Sequence, residues 1–131
     1  MLVKTLDNYE YKWQLKSAAA TKKSGPHLKV RELLHQLYPT AQILEEVQIQ
    51  VKKNQQLYLD FYLPLYNIAI EIDGAQHREY SGHFHKNKHG FMQSQINDNL
   101  KERFCELNDI TFIRLRDDKE EEWLDNLKGS I

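Results

Sequence analysis

Residues 57–73 read LYLDFYLPLYNIAIEID, and this stretch limits the fold more tightly than any other in the chain. Leu57, Leu59, Phe61 and Leu63 alternate with Tyr58, Asp60 and Tyr62, which predicts a strand ended by Pro64. Ile68, Ile70 and Ile72 alternate with Ala69, Glu71 and Asp73, which predicts a second strand ended by Gly74. A turn around Pro64 to Asn67 pairs the two antiparallel. Strand side chains alternate, so Glu71 and Asp73 share a face, about 7 Å apart, and Asp60 can lie beside them. Like charges this close repel and call for a neutralising partner. Either the three carboxylates point to water, as on the wet face of an antiparallel sheet, or they hold a cation.

The flanking sequence completes an α/β (α+β) pattern. Val47, Ile49 and Val51 alternate with Gln48 and Gln50, and KKNQQ turns the chain into the next strand, so a three-stranded meander is expected. Upstream, Val30, Leu33, Leu34 and Leu37 form a helical stripe that starts near Pro26 and stops before Pro39. Downstream, Phe91, Ile96, Leu100, Phe104 and Leu107 mark a helix of about four turns. ITFIRLR, residues 110–116, is a fourth strand, and Glu120 to Leu127 a last amphipathic helix with Trp123, Leu124 and Leu127 as its contacts. YEYKWQLK, residues 9–16, alternates as a short strand, followed by a connector. Residues 1–24 thus read as an N-terminal extension and 25–131 as the main domain. Residues 75–90 have no clean period, contain Gly82 and Gly90, and read as a long loop of the kind that carries function.

At 131 residues, 40% hydrophobic and 28% charged, the chain is long enough to bury one core. No apolar run approaches the ~18 residues of a membrane helix, and the N-terminus does not read as a signal peptide. The single cysteine, Cys105, excludes an internal disulfide and a multi-cysteine zinc cage, so a cytoplasmic setting is the expectation. A net charge of −1 is not that of a general nucleic-acid binder. Local charge is less even: Lys22, Lys23, Lys52, Lys53 and HFHKNKHG, residues 83–90, are basic. His83, His85 and His89 with Cys105 form a weak zinc pattern, for which a solvated basic loop is the simpler reading. Cys105 reads as core. Tyr9, Tyr11 and Trp13 read as packing residues, or else as a dimer edge or a DNA-facing element. Arg114 and Arg116 read as a solvated face that also has DNA backbone within reach.

Mg²⁺ is the economical neutraliser, since it takes a few carboxylates together with water and phosphate oxygens. His77, four residues past Asp73, is then in place to move a proton or orient a water. A metal, a water and a proton-handling group are the parts that in-line attack on a phosphodiester requires.

LDFYLPLYNIAIEIDGAQH, followed by DNLKERFCELNDITFIRLR, resembles the very short patch repair endonuclease family and the related EDxHD-type phage homing endonucleases of the PD-(D/E)XK class. The match covers roughly residues 26–116 and rests on the order D-F-x-L-P, E-I-D-G, a histidine, D-x-x-K/R and F-I-R-L-R. The resemblance implies a restriction-endonuclease-like core, a central mixed four-stranded sheet flanked by helices. It implies a Mg²⁺-dependent endonuclease, with Mn²⁺ as a substitute, that cuts double-stranded DNA in a bacterial or phage-encoded setting. Asp60 falls on the family's metal-binding aspartate, Glu71 on the (D/E), and His77 on the downstream histidine. Asp98 falls on the acidic residue of the following helix, with Lys101 one turn on. Asp73 falls where the XK lysine would stand, so the usual lysine is missing. The family's first-helix glutamate corresponds to Glu32 or His27. Glu32 points nearly opposite the leucine stripe and His27 about 60° from it, which favours His27. The implied catalytic set is His27, Asp60, Glu71, Asp73, His77 and Asp98, with Asp60, Glu71 and Asp73 on the metal. His85, Lys86, Lys88 and Lys101 would meet DNA phosphates. A homodimer is compatible with this reading and a membrane partner is not. The rival readings are a nucleic-acid-binding or assembly module without catalysis and, behind it, a zinc hydrolase.

Overall fold

The computed structural model describes residues 1–18, 23–74 and 88–129. The chain runs β1 (Leu2–Lys4), β2 (Glu10–Lys12), α1 (Gly25–Leu37), β3 (Leu44–Lys52), β4 (Gln55–Leu63), β5 (Ile68–Asp73), α2 (Lys88–Leu107), β6 (Thr111–Arg116) and α3 (Trp123–Lys128). β3, β4 and β5 form the expected antiparallel meander, and β6 pairs parallel with β5, giving a mixed sheet in the order β3-β4-β5-β6. A parallel neighbour needs a long crossover, and α2 lies within it.

The helix ends follow from the local sequence. At the start of α1 the Ser24 hydroxyl accepts from the His27 N–H at 3.2 Å, and Pro26 occupies the first turn. After α2, Asp109 turns left-handed at φ 58° and the Ile110 N–H donates to the Cys105 carbonyl at 2.8 Å. Lys88, His89 and Gly90, expected in the loop, belong to α2, which is 20 residues long. The remainder of that loop, with His77, His83, His85 and Lys86, lies outside the described residues.

The sheet packs on both faces. Tyr62 and Ala69 meet Leu100, Phe104 and Cys105 of α2, together with Val3 and Trp13. On the other face Phe61, Leu63, Ile70 and Leu115 meet Val30 and Leu34 of α1 and Trp123 and Leu127 of α3. Leu124, Ile96 and Leu107, expected as helix contacts, are instead exposed. α2 packs through the arc of Leu100, Phe104 and Cys105, which excludes Ile96 and Leu107.

The alternation in β4 breaks once. Leu57 and Leu59 pack in the cluster under α2, whereas Phe61 and Leu63 pack in the cluster under α1. The change of face falls at Asp60. On β3, Glu45 pairs with Phe61 and Val47 with Leu59, and Glu46 between them is left-handed at φ 54°.

Residues 1–18 are tied into this framework. The Trp13 ring lies 4.6 Å from that of Tyr62, and the Asn108 side chain bonds both the N–H and the carbonyl of Lys4 at 2.7 and 2.9 Å. Along the outer edge of β3 the Leu6 N–H donates to the Val51 carbonyl at 2.7 Å and Trp13 Nε1 to the Gln48 carbonyl at 2.9 Å. The Gln50 N–H donates to the Tyr11 hydroxyl at 2.9 Å and the Glu45 N–H to Ser17 Oγ at 3.0 Å. The edge strand is thereby covered. Among the described residues no helix is long and apolar enough to cross a membrane.

Candidate active site at the β4–β5 split

The β4–β5 ladder runs from Leu63 opposite Ile68 to Phe61 opposite Ile70, and there it stops. One step further the strands part and the carboxylates take over. The Asp60 N–H donates to Glu71 Oε2 at 2.6 Å, and the Ile72 N–H donates to Asp60 Oδ2 at 2.9 Å. Each side chain satisfies an amide of the opposing strand that ladder pairing no longer serves. Two of the three carboxylates therefore sit in core strands because they bridge a split sheet.

On the α2 side, Glu71 is 6% exposed and Lys101 Nζ lies 2.5 Å from its Oε1. Burial and the neighbouring Asp60 charge push the Glu71 carboxyl up to about 8, with Lys101 pulling against them. Burial alone would lower the Lys101 ammonium, but the Glu71, Asp60 and Asp98 charges outweigh it and hold it above the ordinary lysine value. Lys101 therefore stays a cation at neutral pH. The sequence reading gave Lys101 to DNA phosphates; the structure puts it on the carboxylate pair. A signal was available, because Lys101 falls inside the helical arc spanned by Leu100, Phe104 and Cys105.

On the α1 side, His27 is 4% exposed and its ring stacks on Phe61, with centroids 4.4 Å apart. His27 Nε2 lies 2.7 Å from Glu45 Oε1, and Arg31 closes on the same carboxylate with Nε at 2.9 Å and Nη2 at 2.8 Å. Burial would raise the Glu45 carboxyl, but Arg31 and His27 together hold it below its usual range. His27, Glu46 and Asp60 each offer a donor atom within 4.8 Å of the others. Among the described residues they are the one set of three histidine, cysteine, aspartate or glutamate side chains that close together. Glu46 also pairs with Lys23 at 3.0 Å. Glu45, Glu46 and Lys23 were missed as site residues. The doublet Glu45–Glu46, which interrupts the alternation of LEEVQIQV, was the available sign.

Of the other expected residues, Asp73 and Asp98 come together, lining a small pocket with Asn99, Glu102 and Arg114, and the Asp98 charge acts on Lys101. Glu32 is exposed, in a shallow surface depression beside Lys29 and Trp123. Lys88 is exposed at the first turn of α2, about 20 Å along the helix from Lys101. Arg116 pairs with Asp118 at 3.0 Å. Cys105 is fully buried, with burial raising its thiol to about 12. It lies on the same helix as His89 but about 24 Å away, so the two cannot share a zinc ion.

Over 62 residues the chain is 42% identical to the uncharacterized protein 307L of Invertebrate iridescent virus 6, a match covering 47% of this chain and 32% of that one. Over 59 residues it is 34% identical to the uncharacterized protein 033L of Invertebrate iridescent virus 3, covering 45% of this chain and 30% of that one. The chain thus spans about a third of the length of the curated relatives it matches. No family model matches it, and no solved structure does.

Proposed function

We propose that the chain is a metal-dependent endonuclease acting on DNA, built on a restriction-endonuclease-like sheet. The observation that carries this reading is the split of β4 from β5, where Asp60 and Glu71 bridge the strands and Lys101 sits on Glu71. An aspartate, a glutamate and a lysine meeting where two strands part is the inventory for phosphodiester hydrolysis. The lysine missing from the strand at Asp73 is supplied from α2.

The donor chemistry of His27, Glu46 and Asp60 fits a divalent cation. An imidazole beside two carboxylates suits Mn²⁺ or a similar transition ion better than Mg²⁺, which favours oxygen alone. Bound there, the ion would neutralise phosphate charge and lower the pKa of a water ligand. Glu45 would hold the His27 ring in orientation from behind. Lys101, kept protonated, would oppose charge that develops on the phosphate and would not act as the base.

One observation favours the rival reading of a non-catalytic module: both Glu71 oxygens already have protein partners. Supercoiled plasmid incubated with the full chain in Mn²⁺, Mg²⁺ or EDTA separates the two. The nuclease reading expects nicked or linear product with Mn²⁺ and none in EDTA. Intact plasmid at high protein concentration in both metals would leave only the binding module.

A further inference from the structure

We propose that the groove between residues 11–18 and the outward face of β3 and β4 is a channel for unpaired nucleotides, with Tyr58 as its stacking platform. The proposal rests on the nuclease reading and extends it to a substrate class, nucleic acid with a single-stranded stretch beside the cut.

The groove has a volume of about 420 Å³. Its sheet side follows from strand geometry. Val47, Ile49, Leu57 and Leu59 turn into the cluster beneath α2, so Gln48, Gln50, Gln56 and Tyr58 turn away from it. Gln50 stands opposite Gln56 and Gln48 opposite Tyr58. Two residues further along each strand come Glu46 and Asp60, which close with His27 into the donor set. From Gln50 to Glu46 this row covers about 13 Å. Glu46 lines the groove and belongs to the donor set, so the channel leads to the candidate site.

The opposite wall is the strap along the edge of β3. Trp13 and Ala18 anchor it through the bonds to the Gln48 carbonyl at 2.9 Å and the Glu46 carbonyl at 3.2 Å. It contributes Lys12 and Lys16, both exposed.

Side-chain chemistry selects the occupant. Each glutamine amide offers a donor and an acceptor, the pair that a base edge presents in return. Tyr58 is 45% exposed, which leaves ring surface for stacking. The two ammonium groups suit phosphates. A peptide added as a strand is disfavoured, because Leu6, Tyr11, Trp13 and Ser17 already hold backbone groups along β3. A slot of this size takes unpaired bases and excludes a stacked duplex.

The test uses the full chain in EDTA and fluorescence anisotropy with a labelled single strand of about 12 nucleotides and a blunt duplex of the same sequence. The single strand should bind about 10-fold more tightly or better. Tyr58→Ala should lose roughly 10- to 100-fold in single-strand affinity. The double variant Lys12→Gln/Lys16→Gln should reduce the slope of log affinity on log salt by about 1.4. Parental affinity in Tyr58→Ala with an unchanged salt slope in the double variant overturns the proposal, as does a preference for the duplex. The outcomes separate from those of the nuclease reading. Single-strand binding that depends on Tyr58, without plasmid cleavage in any metal, keeps the channel and removes the nuclease. Plasmid cleavage together with Tyr58-independent binding does the reverse.

Discussion

On the α2 side of Asp60, Glu71 is closed off from solvent and balanced by a lysine that belongs to the protein. On the α1 side, His27 and Glu46 face the same aspartate with donor atoms, and the counter-charges are Lys23 on Glu46 and Arg31 on Glu45. The first arrangement carries its own cation and is complete as folded. The second keeps histidine and carboxylate donors close enough to take a cation from solution. Each side has a lysine on one carboxylate, Lys101 on Glu71 and Lys23 on Glu46; the imidazole of His27, present on the α1 side alone, is what sets the two apart.

Removing the built-in cation tests this contrast most severely. Lys101→Met removes the cation that pulls the buried Glu71 carboxyl down, so Glu71 keeps its proton to still higher pH; we expect a stability loss of about 1–3 kcal/mol at pH 8, smaller at pH 6, where the parental Glu71 is already protonated. Plasmid cleavage should fall by about 10³-fold or more. Thermal melting and nicking assays read both, and near-parental values in the two would mean that the sides of Asp60 do not differ as described.

The next perturbation removes the charge that the two sides share. Asp60→Asn keeps an oxygen for the Ile72 N–H but takes away the anion. Mn²⁺ affinity measured by calorimetry should drop by about 100-fold or more, while melting in EDTA stays level or rises because Glu71 loses a repelling neighbour. Retained Mn²⁺ binding would move the metal away from the His27 side.

Glu45→Gln probes that side alone. Loss of the carboxylate behind His27 should weaken Mn²⁺ binding roughly 10- to 100-fold and leave the Lys101–Glu71 pair intact. An unchanged affinity would show that the ring needs no such support.

The smallest effect is one of pH. Folded Glu71 holds its proton up to about 8, whereas the unfolded chain releases it near the ordinary value of 4.5. Between those values the folded state binds more protons, so stability falls as pH rises. In EDTA the melting temperature should decline between pH 5 and 8 by about 5 °C per unit at most, and Glu71→Gln should flatten the decline. A melting temperature that climbs across this window would contradict the buried, proton-retaining Glu71.

Much of this was legible in the sequence. Period-two alternation located β3, β4 and β5, and the leucine stripe located α1. The short turn brought Asp60 beside Glu71. β1 escaped because three residues with one buried side chain, Val3, make no period. The change of face at Asp60 was hidden because Glu46 takes a left-handed backbone without the glycine or asparagine that usually announces one. The depth of Lys101 went unread because its charge outweighed its helical angle. Asp73 drifted from the expected set because the split that frees Asp60 and Glu71 lies between β4 and β5, while Asp73 is held in register with Arg116 of β6.

The clasp of Asn108 on Lys4 joins residues 104 positions apart. On a ribosome, Lys4 would wait about 5–20 s for Asn108 to be made. For that interval the strap has no anchor at its far end, while the β3–β4 hairpin, with contacts close in sequence, can already form. The clasp therefore closes late, after Leu6, Tyr11, Trp13 and Ser17 already have their partners on β3.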